Sequence, residues 1–234
     1  NSVGLQNPGI EMVIKKELPF LSQFDTAVIL NIAGHSIEEY GLIAERLDEV
    51  PNLAAVEINI SCPNVKAGGM SFGVDPQVAA QVVSLVKSKT KLPVIAKLTP
   101  NVTDITEIAK ACEAAGADIL ALINTVLSMV IDIETWKPLL ANGFGGLSGP
   151  AIKPLAVRMV WQTAQAVSIP IIGMGGITTA EDAIEFLLAG ASAFQIGSAN
   201  FHNPYAAPQI LAGLEQWCEK HGVKDIQELV GAAQ

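Results

Sequence analysis

The sequence predicts an α/β fold of the (βα)8 TIM-barrel type from two observations. Short β-branched apolar runs alternate with amphipathic helical stretches along all 234 residues. The runs are nearly uninterrupted, which is typical of strands buried on both faces of a parallel sheet. An open doubly wound sheet shares this alternation. The barrel is favoured because polar or glycine residues follow each run, and in a barrel these positions meet on the one rim where active sites lie.

The order strand, loop and helix recurs throughout, and no linker-like segment interrupts it. The predicted strands are Ala27–Ile32, Ala54–Ile60, Pro93–Leu98, Asp118–Ile123, Pro170–Gly173 and Ala193–Ile196. The predicted helices are Ile37–Glu49, Pro76–Ser88, Asp104–Ala115, Ala151–Ala166, Ala180–Ala189 and Pro204–His221. Ser36 and Asp75 are suitable N-caps, while Gly116 and Gly190 occupy C-cap positions. We therefore expect residues 1–234 to form a single domain.

Six βα units are visible in the sequence, whereas a closed barrel has eight. At about 30 residues per unit, the other two would take about 60 residues. The chain also begins at Asn1 without a methionine. We therefore expect an N-terminally truncated barrel that lacks its first two strand units and leaves sheet edges exposed.

The composition excludes several classes of function. Fourteen Lys and Arg against 23 Asp and Glu give a net charge of −9, which disfavours binding to nucleic acid or to an anionic membrane. The longest apolar run, Ile119–Ile131, has 13 residues, whereas a bilayer span needs about 20. Three widely spaced cysteines favour a reducing cytoplasm over a disulfide framework.

Glycines follow the last two predicted strands. Gly175 and Gly176 come after one, and Gly197 and Ser198 come after the other. Such loops often bind phosphate in barrels, because glycines let main-chain N–H groups approach the anion and a helix N-terminus adds partial positive charge. The alternative is that these glycines only permit tight turns.

The three cysteines differ in their positions. Cys62 follows a buried strand directly onto the predicted rim, where it is either a reactive thiol or an inert packing residue. Cys112 and Cys218 lie in predicted helices and are expected to pack in the core. The chain has neither a CxxC pair nor a histidine cluster, so we expect no zinc or iron–sulfur site in it.

Lys97 ends a predicted strand, which places a cation in the barrel mouth. It could form a Schiff base, act as a fixed charge beside an electron-accepting ring, or only extend to solvent.

Asparagines also lie at or beside loop starts and would line a pocket suited to a planar ligand with amide groups. They are Asn1, Asn31, Asn59, Asn64 and Asn124.

Seven segments together resemble the dihydroorotate dehydrogenase family. They are Asn1–Gly9, Asn59–Asn64, Ala96–Pro100, Leu122–Thr125, Ala141–Pro150, Ile172–Gly176 and Ala199–Tyr205. The cysteine at position 62 is similar to that of class 1 enzymes, since the membrane-associated class 2 has serine there. The segments Leu122–Thr125 and Leu147–Pro154 are most similar to class 1B, the catalytic subunit that works with an electron-transfer subunit.

The resemblance implies FMN as cofactor and oxidation of (S)-dihydroorotate to orotate in pyrimidine biosynthesis, with Cys62 as the catalytic base. It also implies a homodimer within a heterotetramer, in which the partner subunit carries FAD and a [2Fe–2S] cluster and passes electrons to NAD⁺. The implied FMN-binding residues are Asn31, Asn59, Lys97, Ile123, Gly149, Gly175, Gly176, Gly197 and Ser198. The implied substrate-binding residues are Asn1, Ser2, Val3, Gly4, Leu5, Asn59, Asn64, Asn124 and Thr125.

Two departures and three alternatives remain open. Ser198 stands where the family commonly has threonine, although either hydroxyl can bind phosphate. The family's opening strands, which include a substrate-contacting lysine, are missing from the sequence. The alternatives are a class 1A-like enzyme that reduces fumarate without a partner, a phosphate-binding barrel aldolase or isomerase using Lys97, and a non-catalytic barrel fragment.

Overall fold

The computed structural model describes residues 1–61, 63–64 and 70–234, with 63–64 and 70–71 described by their backbone alone. The chain divides into two compact units. Unit A comprises residues 3–97 and 110–119. Unit B comprises residues 1–2, 98–109 and 120–234.

The elements follow one another in the predicted alternation. The strands are β1 Val28–Ile32, β2 Leu53–Asn59, β3 Pro63–Asn64, β4 Met70–Ser71, β5 Val94–Lys97, β6 Ile119–Leu122, β7 Val126–Ser128, β8 Ile131–Asp132, β9 Lys137–Pro138, β10 Gly145–Leu147, β11 Ile171–Met174 and β12 Ala193–Gln195. The α-helices are α1 Ile10–Met12, α2 Leu18–Leu21, α3 Ile37–Asp48, α4 Pro76–Lys89, α5 Ile105–Ala114, α6 Lys153–Ala164, α7 Ala180–Leu188, α8 Ala199–His202 and α9 Ala206–His221. A π-helical turn, Val13–Glu17, joins α1 to α2, and 3₁₀ turns lie at Phe72–Val74, Pro150–Ile152 and Ile226–Leu229.

The predicted caps are confirmed. Ser36 and Asp75 begin α3 and α4, and their side-chain oxygens accept main-chain N–H groups of the first turn. Gly116 and Gly190 follow α5 and α7 with φ of 96° and 112°. This left-handed conformation suits glycine, which has no Cβ, and it stops each helix before the next strand.

Unit A is built on the parallel strands β1, β2 and β5, which neighbour one another in chain order. The register places Asn31 opposite Glu57 and Asn59 opposite Lys97. Helices α3 and α4 pack against each other, and apolar side chains of β2 and α4 are fully buried. Each buried aliphatic side chain contributes about 1.5–3 kcal/mol, so this core fixes the strand ends that carry the polar residues.

Unit B contains the parallel strands β6, β11 and β12, again in chain order. Leu120, Ile171 and Phe186 are almost entirely buried between the strands and helix α7. The packing of these side chains fixes the carboxyl ends of β11 and β12, where the predicted glycines lie.

Hydrogen bonds inside each unit settle the order of the third and fourth long strands. Within unit A, Asp118 directly before β6 donates its N–H to the Val94 carbonyl of β5 (2.9 Å). Within unit B, Leu98 directly after β5 donates its N–H to the Ala121 carbonyl of β6 (2.8 Å). A doubly wound sheet of order 3-2-1-4-5-6 would instead pair the fourth strand with the first, and one of order 2-1-3-4-5 would pair the third strand with the first, whereas β5 pairs with β2. The predicted barrel class is therefore confirmed, whereas the single domain and the missing strand units stay predictions.

Sequence reasoning missed two antiparallel hairpins in unit B, where β7 pairs with β10 and β8 with β9. Their apolar side chains include Ile133 and Trp136, which are 78% and 87% exposed. An apolar pattern predicts a buried strand. The short strands of these exposed hairpins could therefore not be predicted from it. Among the described residues, the helices are all too short or too polar to span a bilayer.

Lys153, the first residue of α6, binds two carboxylates of α7. Its Nζ lies 2.7 Å from Oδ1 of Asp182 and 2.6 Å from Oε1 of Glu185. Asp182 also accepts hydrogen bonds from Thr178 and Thr179 at the start of α7. Burial alone raises the pKa of Asp182, but the hydrogen bonds from Lys153, Thr178 and Thr179 outweigh it and lower that pKa from 3.8 to about 2.

We predict that Asp182→Asn lowers the free energy of unfolding by about 1–2 kcal/mol near neutral pH, because charged hydrogen bonds at the start of α7 are lost. The folded-state pKa is depressed, so the stabilisation is complete above 3.8 and disappears as the pH falls towards 2. Denaturant unfolding of both proteins between pH 2 and 7 measures this. Glu181→Gln, in the same helical turn, is the matched control and should show a smaller deficit. A deficit for Asp182→Asn that is constant down to pH 2 would contradict the account.

Candidate functional site

The loop after β11 in unit B has a backbone that only glycine can adopt. Gly175 and Gly176 have φ of 125° and 82°. A Cβ at Gly176 would lie 2.7 Å from the Gly149 carbonyl oxygen and 3.1 Å from the Lys153 nitrogen. A Cβ at Gly175 would lie 3.3 Å from the Ile123 side chain. The chain therefore passes directly over the start of α6.

Gly149 and Ser198 complete this cradle. Gly149, with φ of 94°, precedes the 3₁₀ turn that leads into α6. A Cβ at Gly149 would lie 3.9 Å from the Ser198 hydroxyl, so Ser198 is its neighbour. A Cβ at Gly197 would meet no atom within 4 Å, so this glycine borders open space. Unit B thus brings together Ile123 and every glycine and serine predicted to bind phosphate.

The cradle is suited to an anion. Main-chain N–H groups without covering side chains can approach a phosphate closely, and the N-terminus of α6 adds partial positive charge. The first turn of α6 carries no acidic residue. The carboxylates of Asp182 and Glu185 are paired with Lys153, the first residue of α6. The open space of the cradle lies beside Gly197, because protein atoms already fill the positions that a Cβ would take at Gly175 and Gly176.

A second group of predicted residues in unit B surrounds the β7–β10 hairpin. Asn1 and Gly146 exchange main-chain hydrogen bonds of 2.9 and 2.8 Å. The Thr125 side chain lies against Gly146, and its N–H donates to Oδ1 of Asn124 (2.7 Å). Asn1, Asn124 and Thr125 are therefore gathered at one place, while Ser2 is exposed.

Sequence reasoning missed Asn101, which organises this loop. Its Nδ2 donates to the Thr125 carbonyl (3.1 Å), and its Oδ1 accepts the N–H of Leu127 (2.8 Å). The available signal was its position after β5, two residues beyond Thr99, whose hydroxyl also accepts its amide (3.0 Å).

Unit A holds a polar cluster at the ends of β1, β2 and β5, in which Glu57 is buried, Lys97 is half-buried and Asn31 is exposed. Nδ2 of Asn31 donates to Oε1 of Glu57 (2.6 Å), and Nζ of Lys97 lies 3.7 Å from the same oxygen. Asn59 is buried, and its carbonyl accepts the hydroxyl of Tyr40 (2.6 Å). The structure therefore brings Asn31 and Lys97 together around Glu57, a residue that the search for polar groups after strands overlooked.

The remaining predicted residues are not assembled by the described structure. Val3, Gly4 and Leu5 of unit A are exposed. Cys62 and the side chain of Asn64 lie outside the described residues, so the thiol's position stays a prediction.

The other two cysteines differ in their burial. Cys112 is buried, as predicted, and burial raises the pKa of its thiol from 9.0 to about 12. Its thiolate, the nucleophilic and basic form, is therefore scarce near neutral pH. Cys218 is only half-buried on α9, so the prediction that it packs in the core is met in part.

Comparison with known proteins shows that the chain is similar to dihydroorotate dehydrogenases over most of its length. The family model for dihydroorotate dehydrogenase matches residues 1–217. The chain is 60% identical over 233 residues to the dihydroorotate dehydrogenase B (NAD(+)), catalytic subunit, of Desulforudis audaxviator, covering 100% of this chain and 76% of that protein. The proteins of the same name from Geotalea uraniireducens and Desulforamulus reducens are 57% and 58% identical; the matches cover 99% and 100% of this chain, and 76% and 77% of those proteins.

We predict that Gly176→Ala destabilises the protein more than Gly222→Ala does. Both glycines have left-handed φ, 82° and 70°, so alanine costs about 1–2 kcal/mol of backbone strain at either position. Only at position 176 would the Cβ also meet a carbonyl oxygen, adding about 1–3 kcal/mol, because a Cβ at Gly222 meets nothing within 4 Å. Denaturant unfolding of both variants measures the difference. Equal losses of stability would show that the Gly149 carbonyl does not constrain the loop.

Proposed function

The chain belongs to the dihydroorotate dehydrogenase family, and we propose that it oxidises (S)-dihydroorotate to orotate in pyrimidine biosynthesis, as an FMN-dependent catalytic subunit. The observation that carries this proposal is identity of 60%, 57% and 58% to relatives named for this activity, over 99–100% of the chain. The glycine cradle and the polar cluster around Glu57 support the proposal, because a phosphorylated, planar cofactor needs an anion site and a few convergent polar groups.

The phosphate and the ring system of FMN are proposed to bind different groups of residues. Unit B would hold its phosphate through main-chain N–H groups and the Ser198 hydroxyl, beside the open space at Gly197. The other residues proposed there are Ile123, Gly149, Gly175 and Gly176. Unit A would hold its ring system through Asn31, Asn59 and Lys97, whose cation favours negative charge developing on the ring. Bound FMN supplies the acceptor for the hydride that leaves C6 of dihydroorotate.

The chain's own residues perform the rest of the reaction. The thiolate of Cys62 takes the proton from C5, so that the C5–C6 double bond of orotate forms as the hydride leaves C6. Amide groups orient the substrate, because each presents both a donor and an acceptor to its imide and carboxylate groups. The residues proposed for this are Asn1, Ser2, Val3, Gly4, Leu5, Asn59, Asn64, Asn124 and Thr125.

The electrons are proposed to leave through a second protein. The relatives' name, which includes both NAD(+) and catalytic subunit, supports NAD⁺ as final acceptor and a separate partner. We propose that this partner carries FAD and a [2Fe–2S] cluster and binds a homodimer of the catalytic chain in the cytoplasm. The catalytic chain alone should then reduce NAD⁺ very slowly, and rapid reduction by it would contradict the need for a partner.

We predict that Gly197→Asp weakens FMN binding at least tenfold without lowering the melting temperature. The position borders open space, so the side chain is accommodated, but its carboxylate would repel a bound phosphate. Gly197→Asn is the matched control, with the same shape and no charge, and should bind FMN more tightly than the aspartate variant. Fluorescence titration with FMN measures both. Wild-type affinity in Gly197→Asp would refute the phosphate site.

We predict that Cys62→Ala lowers turnover of the holoenzyme by a factor of about 10²–10⁴, the usual contribution of a general base, while FMN stays bound. Because a free thiol titrates near about pH 8.5, wild-type turnover should also rise towards alkaline pH. Cys218→Ala is the control and should keep wild-type turnover. Rapid turnover by Cys62→Ala, or a wild-type rate that is flat from neutral to alkaline pH, would contradict a thiol base.

A further inference from the structure

Glu57 of unit A is a buried carboxylate at the centre of strand β2. Its side chain is 4% exposed, and Val56 and Ile58 on either side are fully buried. Removing a carboxylate from water is costly unless hydrogen bonds and a counter-charge compensate. Two of the groups that compensate it here are Asn31 and Lys97.

The carboxylate fixes the orientation of the Asn31 amide. A carboxylate oxygen can only accept a hydrogen bond, so the group of Asn31 that lies 2.6 Å from it must be the NH₂. This leaves the amide oxygen and the second N–H of Asn31 for other partners. The oxygen can accept a hydrogen bond from an imide N–H such as that of a flavin ring.

The carboxylate also offsets the charge of Lys97. With Nζ at 3.7 Å from Oε1, the two side chains form an ion pair whose net charge is zero. The side chain of Lys97 is 21% exposed, so water screens this pair less than a surface pair. A ligand next to Lys97 therefore feels a weaker positive field than an unpaired lysine would produce.

We propose that Glu57 is a positioning residue that orients Asn31 and limits the electrostatic effect of Lys97 on the bound flavin. This inference rests on the proposed function. By reducing the positive field, Glu57 makes the midpoint potential of the flavin more negative than Lys97 alone would set it. A more negative potential favours onward transfer of electrons to the next acceptor.

The test is the midpoint potential of FMN in the holoenzyme, measured by anaerobic spectroelectrochemistry. Glu57→Gln removes the charge but keeps the length of the side chain. We expect the reduced cofactor to bind at least tenfold more tightly relative to the oxidised one, a positive shift of about 30 mV for a two-electron couple. Glu57→Asp, which keeps the charge one methylene further away, should give a smaller shift in the same direction.

Glu45→Gln is the matched control, since it makes the same chemical change in unit A at an exposed Glu45–Lys89 pair with an N···O distance of 3.4 Å. It should leave the potential unchanged. An unchanged or more negative potential in Glu57→Gln would overturn the inference, and if that variant does not fold, Glu57→Asp decides by the same criterion. Failure of the wild-type enzyme to bind flavin would instead overturn the proposed function, so the two failures are distinguishable.

Discussion

The close approach of Gly176 to the Gly149 carbonyl is the constraint on which the rest of unit B depends. The distance leaves no room for a Cβ, and the left-handed φ at both positions disfavours any other residue. Because the two backbones are in contact, the end of β11 and the start of α6 are fixed relative to each other. The main-chain N–H groups around them are therefore held in place before any ligand arrives, which lowers the entropic cost of binding an anion.

In unit A, a lysine cation and two amide side chains lie at the ends of neighbouring parallel strands. Here the central group is Glu57, and the fold supports it through neighbouring strands in register and through Tyr40, which binds the Asn59 carbonyl. Replacing a buried ion pair by apolar residues often leaves stability unchanged or increases it. The cluster is therefore better explained by the flavin binding proposed for it than by the stability of the fold.

Much of the fold could be predicted because local signals and tertiary structure agree. The apolar runs became strands, of which β2, β5 and β6 are largely buried while β1 and β12 keep exposed residues. Asp75 and Gly190 mark helix boundaries through caps that local geometry dictates. The hairpins around Trp136 could not be predicted, since their apolar side chains are exposed and their strands are very short. Prediction from apolar patterns assumes that the apolar side chains are buried, and those of these hairpins are not.

The part of the candidate site that the backbone forms could be predicted from the sequence. The part that depends on contacts between side chains was harder to predict. Glycines directly after a strand indicate a loop without covering side chains. Gly175 and Gly176 were therefore predicted as candidate residues from their position after a strand. Glu57 was missed because it lies within a strand, where its role follows only from the register with Asn31. Cys62 was recognised by its motif, and its geometry lies outside the described residues.

The most direct test of the account is anaerobic addition of (S)-dihydroorotate to the purified holoenzyme while its visible flavin absorption is recorded. The account predicts that the absorption is lost and that one orotate forms for each flavin. Absorption that persists with dihydroorotate, yet is lost on adding a chemical reductant, would contradict the central claim that this chain oxidises dihydroorotate with a bound flavin.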